Sequence, residues 1–250
     1  MPVPAWAAAR PVTILRCIGL TKRFGALVAV DSLTFDVEEG EIFGIAGPNG
    51  AGKTTLFNLI AGLYRGTGEA LFRGEPIGRL RPYQVCRRGI ARTFQIPQLF
   101  QSLTVWDNVR VGAHFGGGGG AGEDEAIGRA IDFVGLKDAR HDPTSSLKLL
   151  DKKRTMLAAA LATQPKMLLV DEPMAGLSPA EIRQALELFR RINGELGLTI
   201  LIIEHFMKAL TQLSHRLMII EGGRMICVDT PSVVVKDPRV IECYLGDSHA

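Results

Sequence analysis

The stretch Gly47-Pro48-Asn49-Gly50-Ala51-Gly52-Lys53-Thr54-Thr55 decides the reading of this chain. It fits G-x-x-x-x-G-K-[ST], with Gly47, Gly52, Lys53 and Thr54 at the fixed positions. Before it, residues 41–46, apolar after Glu41, read as a short buried strand. After it, residues 56–61 carry apolar side chains at helical spacing. Strand, glycine-rich turn and helix start in that order make an anion cradle, because backbone N–H groups converge on a phosphate and the helix dipole favours its charge. Glycines admit the positive φ values that such a wrap requires. Lys53 would reach the β- and γ-phosphates, and the Thr54 hydroxyl would coordinate Mg²⁺. A chance match in a chain of this length has a probability on the order of 1%. The loop from Gly47 to Thr55 therefore predicts a nucleoside triphosphate as ligand.

The flanking sequence sets the fold class. Strands are expected at 12–18 and 33–37, with a turn at Lys22-Arg23-Phe24-Gly25 between them, and a glycine-bounded turn and strand at 66–74. From about 82 to 161 helical patterns dominate, with helices expected at 129–136 and 154–163. Gly116 to Gly120, five glycines in a row, predicts a flexible surface loop without regular structure. Strands then resume at 167–170, 199–203, 216–220 and 225–228, the last two around a Glu221-Gly222-Gly223 turn. Ser178 and Pro179 mark the cap and first residue of a helix running to about Leu196. Alternating β and α elements around a phosphate loop predict an α/β protein with a mostly parallel sheet covered by helices.

Composition narrows the setting. The 250 residues suit one α/β domain, or a domain with an inserted subdomain, and 29 basic against 26 acidic residues include no long basic block, so charge does not imply nucleic acid. Cys17, Cys86, Cys227 and Cys243 are widely spaced and read as reduced packing cysteines, not a disulfide frame or zinc site. Residues 1–10 hold two prolines and no basic residue ahead of their apolar run, which predicts that residues 1–11 are a frayed tail and not a signal peptide. No run reaches the length that a membrane helix requires.

A second chemical site ends the strand at 167–170, where Asp171 and Glu172 follow directly. Carboxylates at the C-terminal end of a buried strand stand where α/β sheets bind ligands. Asp171 is expected to hold Mg²⁺ through water, and Glu172 to orient and polarise the attacking water. His205 closes the next strand and is expected to touch the γ-phosphate. Taken alone, Gln95 in Arg92-Thr93-Phe94-Gln95 is an ordinary surface residue, and Phe24 is equally a core residue or a ring on which adenine could stack.

In its order of motifs the chain resembles the ATP-binding subunits of ABC transporters from about Val12 to Gly246. The phosphate loop, Gln95, Asp171-Glu172 and His205 match that family's Walker A, Q-loop, Walker B and switch-histidine motifs, and Phe24 matches its adenine-stacking aromatic. The resemblance implies a P-loop NTPase core of about 12–95 and 162–230 with an antiparallel β subdomain, a helical subdomain of about 96–161 and a C-terminal helical segment at 231–246. It implies ATP and Mg²⁺ as cofactors, with Thr54, Gln95 and Asp171 around the metal and Glu172, His205 and Gln95 around the reaction. Residues 89–95, 175–179, 203–205 and 240–246 look like the subgroup serving branched-chain amino acid importers. That likeness implies a peripheral subunit on the cytoplasmic face of the inner membrane. It would dock on membrane permease subunits through residues 95–109, including Pro97, Phe100 and Trp106, and indirectly serve a solute-binding protein. For Trp106 an ordinary place in the subdomain core is an equally weighted reading. An exporter ATPase of the lipopolysaccharide type, or a nucleotide-binding regulatory subunit with little turnover, are the alternatives.

One motif departs from the family. Where its L-S-G-G-Q signature stands, this chain has Leu147-Lys148-Leu149-Leu150-Asp151, lacking the serine and both glycines. Ser178 stands where an aspartate is frequent. In ABC dimers the signature caps the partner's γ-phosphate, so the resemblance implies a weakened half-site, with Leu149 and Leu150 crowding the backbone, and a heterodimer with a paralogous ATP-binding subunit.

Overall fold

The computed structural model describes residues 12–118 and 122–245; the expected tail, Gly119 and Gly120, and position 246 lie outside the described residues. In chain order the elements begin β1 (Thr13–Phe24), β2 (Leu27–Glu38), β3 (Ile42–Ala46), α1 (Lys53–Ile60), β4 (Thr67–Phe72), β5 (Glu75–Pro76) and α2 (Pro82–Arg87). They continue with β6 (Ile90–Arg92), α3 (Val105–Ala113), α4 (Glu123–Phe133), α5 (Leu149–Ala162), β7 (Met167–Asp171) and α6 (Pro179–Leu196). The chain closes with β8 (Thr199–Ile203), α7 (Met207–Leu213), β9 (Arg216–Glu221), β10 (Arg224–Asp229), α8 (Pro231–Val234) and α9 (Pro238–Leu245). Two compact units divide it: residues up to Arg81 together with those from Ile192 onward, and Pro82–Arg191, the boundary falling inside α6.

In the first unit, β1 and β2 are longer than expected and form an antiparallel sheet in the order β2-β1-β4-β5. The expected turn at Lys22 to Gly25 is shorter in the structure: β1 runs on through Phe24, which pairs with Leu27, and the chain reverses at Gly25 and Ala26. A second set of strands follows the order β10-β9-β3-β8. Every residue of β3 and β8 is buried. Strands covered on both faces read as continuous apolar runs and not as alternations, which is why both were legible in the sequence. β3 pairs in parallel with β8 and β9, Ile45 opposite Ile203 and Ala46 opposite Ile219.

Glu41 leads into β3 at 6% exposure. Its carboxylate accepts from the Glu38 amide at 3.0 Å and from Arg216 at 3.4 Å. Burial outweighs both donors, and Glu38 and Asp36 add to the rise, so its pKa is pushed up to about 7. A carboxyl raised in the folded state adds stability below its unfolded value, and that stability is lost as pH climbs through the folded one. Unfolding by urea should therefore show a stability about 2 kcal/mol lower at pH 8 than at pH 5 from this group. Glu41→Gln should remove most of that slope; an unchanged slope would refute the assignment.

In the second unit, β6 and β7 pair in parallel, with Ala91 opposite Leu168. The helices α3, α4 and α5 bury Val105, Val109, Ile127, Ile131, Leu157 and Leu161. The glycine run departs from expectation: α3 passes into a π-helical turn over His114–Gly118. A Cβ at Gly116 would lie 2.5 Å from the Thr163 Cβ, so a glycine there admits close packing and not merely flexibility. The helix at 154–163 likewise starts earlier, at Leu149.

Asn108 organises the segment before α3. It is 4% exposed. Its Nδ2 donates to the carbonyls of Thr104 (2.9 Å), Phe100 (3.1 Å) and Leu103 (3.4 Å), and its Oδ1 accepts from the Phe100 amide at 2.8 Å. The Thr144 hydroxyl donates to the Phe100 carbonyl at 3.0 Å. The backbone at Phe100 is thus clamped while its side chain is 59% exposed. Asn108→Ala should cost about 2–3 kcal/mol, since buried backbone groups lose their partners. A free energy of unfolding in urea within about 0.5 kcal/mol of wild type would contradict this.

Candidate nucleotide-binding site

The first unit carries the phosphate loop, Phe24 and His205. Gly47, Gly50 and Gly52 have φ of 149°, 78° and 100°. Gly52 precedes α1 with no side chain capping the helix, so its first amides remain turned toward an incoming anion. A Cβ at Gly52 would meet the Ala29 carbonyl at 2.1 Å. The loop is also tied to the β9–β10 turn, where the Gly223 amide donates to the Ala51 carbonyl at 3.0 Å. Lys53 is 5% exposed, and its ammonium donates to the carbonyls of Gly47 (2.7 Å) and Pro48 (2.8 Å). Those contacts hold the charge inside the loop. Thr54 is exposed beside it, followed by the half-buried Thr55.

Ile45 pairs with Ile203, the last residue of β8, and His205 follows two residues beyond that strand end, in a bend. His205 is exposed there, and its amide donates to Glu204 at 3.2 Å. Phe24 lies outside the core, 43% exposed and edge-on to Tyr64 with centroids 5.4 Å apart. The Lys22 ammonium stands 4.8 Å from its ring centre. That arrangement excludes the core reading of Phe24 and adds Tyr64, which sequence reasoning missed.

The second unit carries Gln95, Asp171 and Glu172, and here the structure supplies partners that spacing did not reveal. Gln95 Nε2 donates to Glu172 Oε2 at 2.5 Å. Arg92 pairs with Asp171 at 3.1 Å, both nearly buried, with its guanidinium 5.1 Å from the Phe94 ring. Glu172 has φ of 45°, a strained position for a residue with a Cβ. Lys153, 8% exposed on α5, donates to the Glu172 carbonyl at 3.3 Å. Both acids at the end of β7 are therefore held by side chains at the end of β6, and the helix carrying the altered signature reaches Glu172. Arg92 belongs to the quoted Arg92-Thr93-Phe94-Gln95 segment, but Lys153 left no signal beyond being a charged residue in a helix.

The altered signature lies in the first turn of α5. Lys148 is its cap residue and makes no side-chain capping bond. Leu150 does not crowd the exposed backbone as expected: it turns inward at 8% exposure to line a small apolar cavity with Leu157, Leu177, Leu188 and Phe189. Leu149 stays outside at 38% exposure, its methyl 3.0 Å from where a Cβ on Gly176 would stand. Ser178 caps α6 as expected, exchanging hydrogen bonds with Glu181, whose carboxyl is held below its ordinary pKa by that cap.

None of the four cysteines forms a disulfide. No helix among the described residues is long and apolar enough to cross a membrane.

Comparison with known proteins agrees with this geometry. A family model described as ABC transporter matches residues 30–175, and one described as branched-chain amino acid ATP-binding cassette transporter matches residues 224–250. The high-affinity branched-chain amino acid transport ATP-binding protein LivG of Salmonella typhimurium is 36% identical, covering 94% of this chain and 98% of its own length. BraF of Pseudomonas aeruginosa, of the same description, is 35% identical with the same coverage. The crystal structure of an ABC transporter ATP-binding cassette in its ADP conformation superposes with a TM-score of 0.87 at 29% identity, over 94% of this chain and 99% of that one. The chain belongs to the ABC transporter family of ATP-binding, ATP-hydrolysing cassettes, with the P-loop NTPase fold of that family.

Proposed function

We propose that this cassette energises an importer of branched-chain amino acids or related small solutes, from the cytoplasmic face of the inner membrane. The observation that carries the reading is the match to LivG and BraF along nearly the whole chain, together with the subgroup's own C-terminal segment at 224–250. The same match favours import over the lipopolysaccharide-type export alternative. Phe94, Ile96, Phe100 and Leu103 are exposed apolar residues beside Gln95 and form the proposed permease contact. Trp106 is half-buried near Gly128 and gives it an inner edge.

In the proposed cycle, ATP draws Lys53 off the Gly47 and Pro48 carbonyls onto its phosphates, while the amides at the start of α1 take the negative charge. Gln95 gives up Glu172, which then accepts a proton from the water whose oxygen attacks the γ-phosphorus, as the bond from that phosphorus to the departing ADP breaks; His205 donates to the transferred phosphoryl group. Thr54, Asp171 and Gln95 carry the hard oxygen donors that would hold Mg²⁺. When bound, Mg²⁺ would neutralise phosphate charge.

The altered signature supports pairing with a paralogous ATP-binding subunit, since Lys148 and the exposed Leu149 make a poor phosphate cap. The test is assembly: the chain should co-purify with permease subunits and a second cassette, and its ATP turnover should rise when a leucine-loaded solute-binding protein is added. Steady turnover by the purified chain alone, at the rate of the complex, would refute the heterodimer.

A further inference from the structure

The turn between β9 and β10 carries no motif residue, yet it packs against the phosphate loop. Arg224 pairs with Glu221, so Gly222 and Gly223 alone make the reversal, with φ of 53° and 81°. A two-residue hairpin of this kind requires positive φ at both positions, which fixes its backbone. β10 is the edge strand of its sheet, as β2 is of the antiparallel sheet. Gly223 joins those two edges beside the loop. Its carbonyl accepts from the Asp31 amide at 2.8 Å, while its own amide donates to the Ala51 carbonyl at 3.0 Å.

Side chains reinforce the junction. Arg224 Nε and Nη2 reach one Asp31 carboxylate oxygen at 2.8 and 2.7 Å, and the Ser32 hydroxyl donates to the other at 3.2 Å. The Arg224 guanidinium, aided by Ser32, holds the Asp31 carboxyl below its ordinary pKa, so the pair is ionised at neutral pH. The Arg224 side chain is 74% exposed, and a pair so open to solvent adds little to global stability. Its effect is local: it fixes where Gly223 stands. That matters for one peptide of the phosphate loop. In a planar trans peptide, an Ala51 carbonyl held toward Gly223 turns the Gly52 amide the opposite way. Room for adjustment is slight, because a Cβ at Gly52 would stand 2.1 Å from the Ala29 carbonyl and one at Gly223 3.0 Å from the same oxygen.

We propose that Asp31 and Arg224 are positioning residues for the phosphate loop: their ion pair seats the β9–β10 turn so that Gly223 holds the Ala51 carbonyl and the Gly52 amide stays aimed at the phosphates. The proposal rests on the loop's being the nucleotide site.

The test titrates ATP by calorimetry into the full-length chain and its Asp31→Ala, Arg224→Ala and doubly substituted variants, with thermal unfolding in parallel. Each single variant should weaken ATP binding about 3–10-fold, the worth of one hydrogen bond. The double variant should bind no more weakly than the worse single one, because all three lose the same interaction. Nucleotide-free melting temperatures should stay within about 3 °C of wild type, as for a solvent-exposed pair. Arg224→Lys, which keeps the charge, should recover most of the affinity. Asp31→Ala separates positioning from plain attraction of an anion, since loss of a negative charge would by attraction alone tighten ATP binding. Tighter binding by Asp31→Ala, affinity within twofold of wild type for either single variant, or additive losses in the double variant would overturn the proposal. A wild-type chain that fails to bind ATP would instead sink the nucleotide reading, and this one with it.

Discussion

Replacing Glu172 with glutamine should lower ATP turnover of the assembled transporter by roughly 10²–10⁴-fold, the range for loss of a general base, and leave ATP binding nearly unchanged. The substitution keeps shape and hydrogen-bonding reach, so the contact to Gln95 and the Lys153 bond to the backbone carbonyl survive. What disappears is the ability to take a proton. The strained φ of 45° at this position belongs to the backbone and is unaffected. Phosphate release under saturating ATP measures the loss, and nucleotide titration measures the binding. Equal and negligible turnover in wild type and variant would favour a regulatory subunit.

Gly47→Ala should reduce ATP affinity by more than about tenfold, because two independent penalties meet at one atom. At φ of 149° the backbone occupies a region that L side chains seldom adopt. The added methyl would also stand 1.9 Å from the Ile220 carbonyl, which belongs to a strand paired with β3 and cannot withdraw without breaking that ladder. The loop must shift instead, carrying its amides away from the phosphates. By contrast, Gly50→Ala meets nothing within 4 Å and pays only the φ penalty, so it should bind more tightly than the Gly47 variant. If the two variants bound ATP equally, the steric argument would fail.

The fold was largely legible because its deciding elements are local. Residues 42–46 and 199–203 are short uninterrupted apolar runs, and such runs mark strands buried on both faces. The helix after Ser178-Pro179 announced its start through capping chemistry that depends only on neighbouring residues. The glycine run misled for the opposite reason. Flexibility is the local expectation for Gly116 to Gly118, but at Gly116 the approach of Thr163, which caps the end of α5 and is distant in sequence, turns the absence of a side chain into a packing requirement.

By itself, the sequence located the proposed phosphate cradle, since the backbone geometry expected of Gly47 to Thr55 is one that glycine spacing encodes directly. It also located Asp171 and Glu172 at the end of a buried strand. Only the tertiary structure decided what those groups touch. Arg92 on Asp171, Gln95 and Lys153 on Glu172, and Asn108 beneath Phe100 are encounters between separate segments. Periodicity and motif spacing describe a residue's own segment; a side chain's partner is set by how the segments pack, and that information resides in the folded chain.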